Sequence, residues 1–378
     1  MTNPLRDLEA AGQAAWLDYV HRRILEDGEL RRLIDQDGIK GLTSNPSIFE
    51  KAIGEGDAYD DRIRAFAKRG EPAEALYERI AIADIQAAAD IFRPTYDSLG
   101  GRDGFVSLEV SPALAMDTER TIADARRLWS AVGRPNLMIK VPGTKAGVPA
   151  IRQLIGEGIN VNVTLLFGVD AYLDVAEAYM AGLETFKTSG GDVSRVHSVA
   201  SFFVSRIDTR IDGAIDARLK AGAHGQEAER LTRLRGKIAI ANAKRAYQRY
   251  LELLENERWR PLAEAGAAPQ RLLWASTSVK DPAYPDTLYV DSLIGRDTVN
   301  TMPPKTMDAF RDHGQVAASL AADVPLAEYD LAEAQGLGLD LDAVTADLVV
   351  DGVKQFADAF DALLRAVAEK RERILAAA

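Results

Sequence analysis

The residue best placed for covalent chemistry is Lys140, which sits in the stretch Asn136-Leu-Met-Ile-Lys-Val-Pro-Gly-Thr144. Three apolar residues precede it and Val-Pro-Gly closes the run behind it. Burying an ammonium group costs several kcal/mol unless it is paired or neutral. Burial favours the neutral amine, the form that attacks a carbonyl carbon to make a Schiff base. A strand-end lysine that lays its stem on apolar surface and reaches water fits the same window. On this window alone both readings stay open.

Other chemistry-bearing residues sit in strand-like runs with polar groups on one parity. In Asn160-Val-Asn-Val-Thr-Leu165, Asn160, Asn162 and Thr164 share a face; Gly41, Thr43 and Asn45 share another. Asp18 lies within Trp16-Leu-Asp-Tyr-Val20, and Glu109 within Val106-Ser-Leu-Glu-Val110. Singly, each carboxylate reads as a strand-end or capping residue, and Asn45 before Pro46 as turn chemistry. Asn162 and Thr164 would mark a solvated face, but parallel strands covered by helices have none. Together they place an acid, an amide, a second acid, a lysine and an Asn-x-Thr pair near the ends of successive strands. A lysine iminium is an electron sink, carboxylates in unlike environments can divide the proton transfers, and amides and hydroxyls can hold sugar hydroxyls.

The elements that must position these groups alternate. Strands are expected at Ala14–Val20, Gly38–Asn45, Phe105–Val110, Leu137–Val141, Asn160–Phe167, Ser198–Arg206, Arg271–Val279 and Thr298–Met302. Helical spacing is expected over His21–Ile34, Ala73–Phe92, Asp117–Val132, Val148–Gly156 and Val169–Phe186. Such alternation implies right-handed βαβ units and a parallel sheet. Eight units suggest a closed (β/α)8 TIM barrel, whose strand C-termini converge on one mouth. Extra helices are expected in two long connections, one segment in Pro46–Gly104 and at least two in Ile207–Gln270. The whole chain, 1–378, is expected to form one barrel domain with a mainly helical C-terminal segment, 303–378, packed on it; Ala343–Leu375 is its longest amphipathic piece. An open doubly wound sheet is the alternative, but no G-x-G-x-x-G or G-x-x-x-x-G-K-[ST] follows a strand, so nucleotide binding is unsupported.

Composition narrows the partners. With 47% hydrophobic and 27% charged residues the chain is ordinary globular material, and a net charge of −11 argues against nucleic acid or an anionic membrane as the main partner. There are no cysteines, which excludes disulfides, thiolate nucleophiles and thiolate metal sites. The four histidines form no metal-binding pattern, so a histidine-based metal site is not expected. The N-terminal residues lack an apolar signal region and no run is long enough to span a bilayer. A cytoplasmic protein is expected.

At these residues the chain resembles the transaldolase family. Gly41-Leu-Thr-Ser-Asn-Pro-Ser-Ile-Phe49 is similar to that family's first motif. Ile139-Lys-Val-Pro-Gly-Thr144 with Gly158-Ile-Asn-Val-Asn-Val-Thr-Leu-Leu-Phe167 resembles its Schiff-base segment and the next strand. Ser201-Phe-Phe-Val-Ser-Arg206 is similar to the segment that supplies a serine, a phenylalanine and a phosphate-binding arginine. Trp274-Ala-Ser-Thr-Ser-Val-Lys280 and Asn300-Thr-Met-Pro303 look like the longer bacterial branch. The resemblance implies transfer of a dihydroxyacetone unit from sedoheptulose 7-phosphate or fructose 6-phosphate to glyceraldehyde 3-phosphate or erythrose 4-phosphate, in the non-oxidative pentose phosphate pathway and without a metal or organic cofactor.

By position, the resemblance makes Lys140 the Schiff-base residue and Asp18 the acid/base at the cleaved bond, with Glu109 and Thr164 on the catalytic water. It gives Asn45 and Asn162 to the dihydroxyacetone moiety with Ser201 and Phe203 nearby, Thr43 to substrate binding, and Arg206 and Lys280 to phosphate. Lys280 stands where many members have arginine, so it offers a charge without the planar fork. Arg206 falls on the opposite parity from Ser201 and Phe203, and reaches the mouth only if the strand has ended; otherwise it is a surface charge beside Asp208. Lys145, in the Gly143–Gly147 turn, is a rival amine that should stay hydrated. The expected partners are small sugar phosphates, with a homodimer among the assemblies open to the C-terminal helices. A Schiff-base aldolase that releases free dihydroxyacetone is the rival within the class; Phe203 and the C-terminal segment favour transfer if they shield the intermediate. A barrel that has lost catalysis and serves as a binding or scaffold protein is the rival outside it, and it has no use for Lys140, Asp18 and Glu109 together.

Overall fold

The computed structural model describes residues 3–67 and 71–376. Eight parallel strands close into a barrel in sequence order: β1 (Gln13–Asp18), β2 (Gly41–Thr43), β3 (Phe105–Glu109), β4 (Leu137–Pro142), β5 (Val161–Leu166), β6 (Ser198–Phe203), β7 (Arg271–Ala275) and β8 (Thr298–Met302). Helices surround it, so every strand is covered on its outer face and reads as a near-continuous buried run. Inside, Trp16 lies across Gly41, where a Cβ would come within 2.5 Å of the indole, and Phe105 packs 6.4 Å away. This apolar layer fills the lower barrel and leaves the polar residues of the strand ends above it.

All eight predicted strands are present, but several end early because backbone turns, not side-chain pattern, set their limits. β2 spans Gly41–Thr43 instead of Gly38–Asn45: Gly38 is a left-handed cap at φ +73°, and the Asn45 side chain accepts from Ile48 N at 3.0 Å to start the helix Pro46–Gly54. β6 stops at Phe203, not Arg206, and the helix Ser205–Lys220 begins at once. β7 stops at Ala275, not Val279, where Ser276 turns to φ +55°. The predicted helix His21–Ile34 is broken at Gly28 (φ +83°) into Arg22–Glu26 and Glu29–Arg32, followed by a wide turn over Leu33–Asp37. The long helix from Ala73 continues past Phe92 and Pro94 to Ser98. Among the described residues, the first long connection holds two extra helices, Pro46–Gly54 and Asp60–Ala67, and the second holds four between Ser205 and Glu264.

The C-terminal helix, Leu341–Ala376, crosses the mouth of the barrel. Thr345 meets Gly168, Gly352 meets Leu165, Phe360 packs edge-on against Tyr77 at 5.6 Å, and Lys370 donates to the carbonyls of Ile53 and Gly56 at 3.0 and 2.7 Å. Its buried stripe, Leu348, Gly352, Phe356, Leu363 and Val367, has helical spacing. Residues 377 and 378 of the expected C-terminal segment lie outside the described residues. Among the described residues, no helix is long and apolar enough to cross a membrane.

Candidate active site

Strand register puts the reactive groups side by side. Glu109 on β3 pairs with Lys140 on β4, which pairs with Asn162 on β5; Asp18 on β1 pairs with Thr43 on β2. Lys140 is buried at 5% exposure, with Nζ donating to the Ser44 carbonyl at 3.0 Å and lying 3.4 Å from Glu109 Oε2. The second contact is an ion pair that is long for a hydrogen bond. Neither Glu109 oxygen has a hydrogen-bond partner, and nor does the fully buried Thr164 hydroxyl. Lys145 is exposed in its turn and does not reach this layer.

The two carboxyls have different surroundings. Burial pushes the Asp18 acid strength down, so its pKa lies above the ordinary range, partly offset by the Lys140 charge and the Thr43 hydroxyl. Thr43 Oγ1 donates to Asp18 Oδ1 at 2.7 Å and lies 2.7 Å from Thr301 Oγ1. Burial also raises Glu109, with the Lys140 charge opposing it and Asp18 adding to it. A raised carboxyl holds its proton more firmly than an ordinary one, which suits an acid/base residue.

Around them lies a cavity of about 500 Å³, lined by Asp18, Thr43, Asn45, Lys140, Thr164, Ser201, Phe203, Arg206 and Lys280 among others. Glu109 and Asn162 are not on its surface. Glu109 faces an adjoining cavity of about 300 Å³, and Asn162 is clamped beneath Ser201. Asn162 donates to Ser107 Oγ at 3.0 Å and accepts from Ser201 Oγ at 2.7 Å, which fixes its amide and leaves one N–H to spare. Asn160 shares its parity but lies at the strand's start, where it bonds the Pro135 and Leu137 carbonyls.

Arg206 reaches the cavity because the strand has ended and it stands in the first turn of a helix. Its guanidinium lies 5.1 Å from the Phe203 ring centroid, and its buried Nη1 has no partner. Asp208 is not its mate: that carboxylate accepts from Ala239 N and Tyr289 Oη at 2.8 and 3.0 Å. Lys280 donates only to Ser278 Oγ, at 2.8 Å, and burial together with the Arg206 charge lowers its pKa. Neither cation is in an ion pair among the described residues. Two unpaired cations on one wall suit a dianionic group.

The profile of the transaldolase/fructose-6-phosphate aldolase family matches residues 15–367. The chain belongs to that family. It is 46% identical to a transaldolase of Trichodesmium erythraeum over 99% of both chains. It is also 48% identical to a transaldolase of Thermobifida fusca, covering 98% of this chain and 99% of the relative. Against transaldolase 2 of Nostoc punctiforme it is 48% identical over 98% of each.

Sequence reasoning missed four residues of the site: Ser44, Ser107, Thr301 and Phe356. Ser107 shares the parity of Glu109 and was open to the same argument that found Asn162. Ser44 contributes a backbone carbonyl, which leaves no side-chain signal. Thr301 is recognisable only once β8 closes on β1. Phe356 lies 5.9 Å from Lys140 Nζ by its ring centroid and comes from a distant helix.

Proposed function

We propose that the mouth of this barrel runs the transaldolase reaction with Lys140 as nucleophile and the two raised carboxyls in separate roles. The chain is a transaldolase by family, so its substrates are sugar phosphates. The Lys140 amine adds to the ketone carbon of the donor, giving a carbinolamine. Glu109, through a water that the orphan Thr164 hydroxyl also holds, moves the protons as hydroxide leaves and the iminium forms. Asp18 takes the proton from the hydroxyl at the bond to be cleaved. The carbon–carbon bond breaks, its electron pair flows into the iminium, and an aldehyde phosphate leaves.

The enamine of dihydroxyacetone stays on Lys140 until an acceptor aldehyde arrives and the steps reverse. Asn45, Thr43 and Ser201 hold its hydroxyls, and Asn162 fixes the Ser201 hydroxyl from beneath. Arg206 and Lys280 hold the phosphate of donor or acceptor.

The observation that carries this reading is the amine itself: a buried lysine, bonded to a backbone carbonyl and next to an otherwise unpartnered carboxylate, at the floor of an open cavity. Incubation with fructose 6-phosphate followed by borohydride should leave a reduced adduct on the peptide that contains Lys140. An adduct on Lys145, or none, overturns the assignment.

A further inference from the structure

The C-terminal helix brings one aromatic side chain to the reacting amine. Phe356 is buried at 8% exposure, lines the cavity, and sits within cation–π range of Lys140 Nζ at 5.9 Å. One turn earlier, Gly352 lies so close to Leu165 that an added Cβ would come 2.8 Å from Leu165 Cδ2. Leu165 is held at φ +60°, at the register shift in β5 directly after Thr164. A leucine in this left-handed conformation is strained and persists only where its surroundings hold it, so the bulge is a fixed feature of the wall and not a loose end. The contact sets how deeply the helix sits over the mouth, and therefore the height of Phe356 above Lys140.

We propose that Phe356 is a specificity-determining residue: a roof that keeps bulk solvent, beyond the one water held at Glu109 and Thr164, from protonating the Lys140-bound three-carbon enamine, so that the unit is transferred and not released, with the Gly352–Leu165 contact holding the roof down. The inference rests on the transaldolase reading above. The step it suppresses balances simply. The enamine carbon takes a proton, its electron pair forming the new C–H bond and leaving an iminium. Water then adds to the iminium carbon, the C–N bond breaks, and free dihydroxyacetone departs with the lysine amine restored. Excluding bulk water slows the enamine protonation that opens this branch, while an aldehyde that fills the cavity still reaches the enamine.

The test measures free dihydroxyacetone against sedoheptulose 7-phosphate formed from fructose 6-phosphate and erythrose 4-phosphate. Phe356→Ala should raise the ratio of release to transfer by roughly tenfold, with Phe356→Leu restoring most of the wild-type ratio. Gly352→Ala, which lifts the helix without touching the ring, should shift the ratio the same way by a smaller factor. An unchanged ratio in Phe356→Ala, or an equal fall in both products, overturns the roof. If Phe356→Ala does not fold, the other two variants decide: a raised ratio in Gly352→Ala supports the proposal and an unchanged one overturns it. Borohydride trapping of the wild type runs alongside. Absence of a Lys140 adduct there condemns the transaldolase reading, whereas an adduct with an unmoved ratio condemns only the roof.

Discussion

The two ends of the barrel treat buried charge in opposite ways. At the base, Asp103 accepts from Trp16 Nε1 at 2.8 Å, from Gly104 N at 3.1 Å and from Arg271 at 2.9 Å, so the ion pair is fully engaged. Asn136 and Asn160 there donate to the carbonyls of neighbouring segments and tie the strand starts together. At the mouth, both Glu109 oxygens, the Thr164 hydroxyl and one Arg206 nitrogen are buried without hydrogen-bond partners. The base has orphans too, but they are neutral: amide oxygens, the Tyr250 hydroxyl and the His197 Nε2 atom. An unpaired buried charge or hydroxyl costs more than a satisfied one. Among the described residues, the charged groups of the two ends that carry this deficit, Glu109 and Arg206, lie at the mouth, where a substrate would supply the missing partners.

One substitution type applied at both ends tests this contrast most severely. Lys140→Met should abolish turnover and borohydride labelling while the melting temperature holds or rises, because Glu109 can stay protonated once its cation is gone. Arg271→Met should do the reverse, lowering stability by about 1–3 kcal/mol through the stranded Asp103 while leaving kcat unchanged. Measurable transfer by Lys140→Met would place the nucleophile elsewhere. Loss of activity in Arg271→Met at temperatures where it stays folded would dissolve the distinction between the ends.

The pair of unpaired cations, Arg206 and Lys280, gives a smaller effect. Arg206→Ala and Lys280→Ala should each raise KM for fructose 6-phosphate by roughly tenfold or more, as for loss of a charged hydrogen bond. They should leave KM for unphosphorylated dihydroxyacetone nearly unchanged. Equal effects on both donors would mean that the two cations shape the cavity and do not read phosphate. Arg206 should have the larger effect, since its unpartnered nitrogen is already buried and its fork can take two oxygens.

How much of this contrast was legible beforehand follows from which signals are local. The polar parities on β3 and β5 pointed to Glu109, Asn162 and Thr164, because alternation is written in consecutive residues. The row Glu109–Lys140–Asn162 was not legible, since register between strands depends on the closure of the barrel. The end of β6 was misjudged by three residues, and with it the apparent misplacement of Arg206; hydrophobicity runs on through Val204 while the backbone has already turned into the helix. Phe356 carried no local sign at all. In an amphipathic helix it is one apolar stripe position among many, and only packing across the mouth makes it different.

The finest test of the comparison is that the two ends should respond to acid with opposite signs. Asp18 and Glu109 have raised values in the fold, so the stability they contribute is present at low pH and is lost as pH rises through those values. His197 at the base runs the other way. Burial, and then the Arg271 charge, push it down to about 4 from 6.5. Above 6.5 it is neutral in both states and neutral folding costs nothing. As pH falls from 6.5 towards 4 the unfolded chain takes up a proton that the fold refuses, and stability drains away. His197→Phe keeps the ring that packs 5.3 Å from Phe105 and removes the titration. The stability gap between variant and wild type should therefore move in the variant's favour between pH 7 and pH 4.5, by about 1–3 kcal/mol in urea unfolding. A gap that stays constant across that range would show that the base is hydrated enough to charge the imidazole, and the base would then be no drier than the mouth.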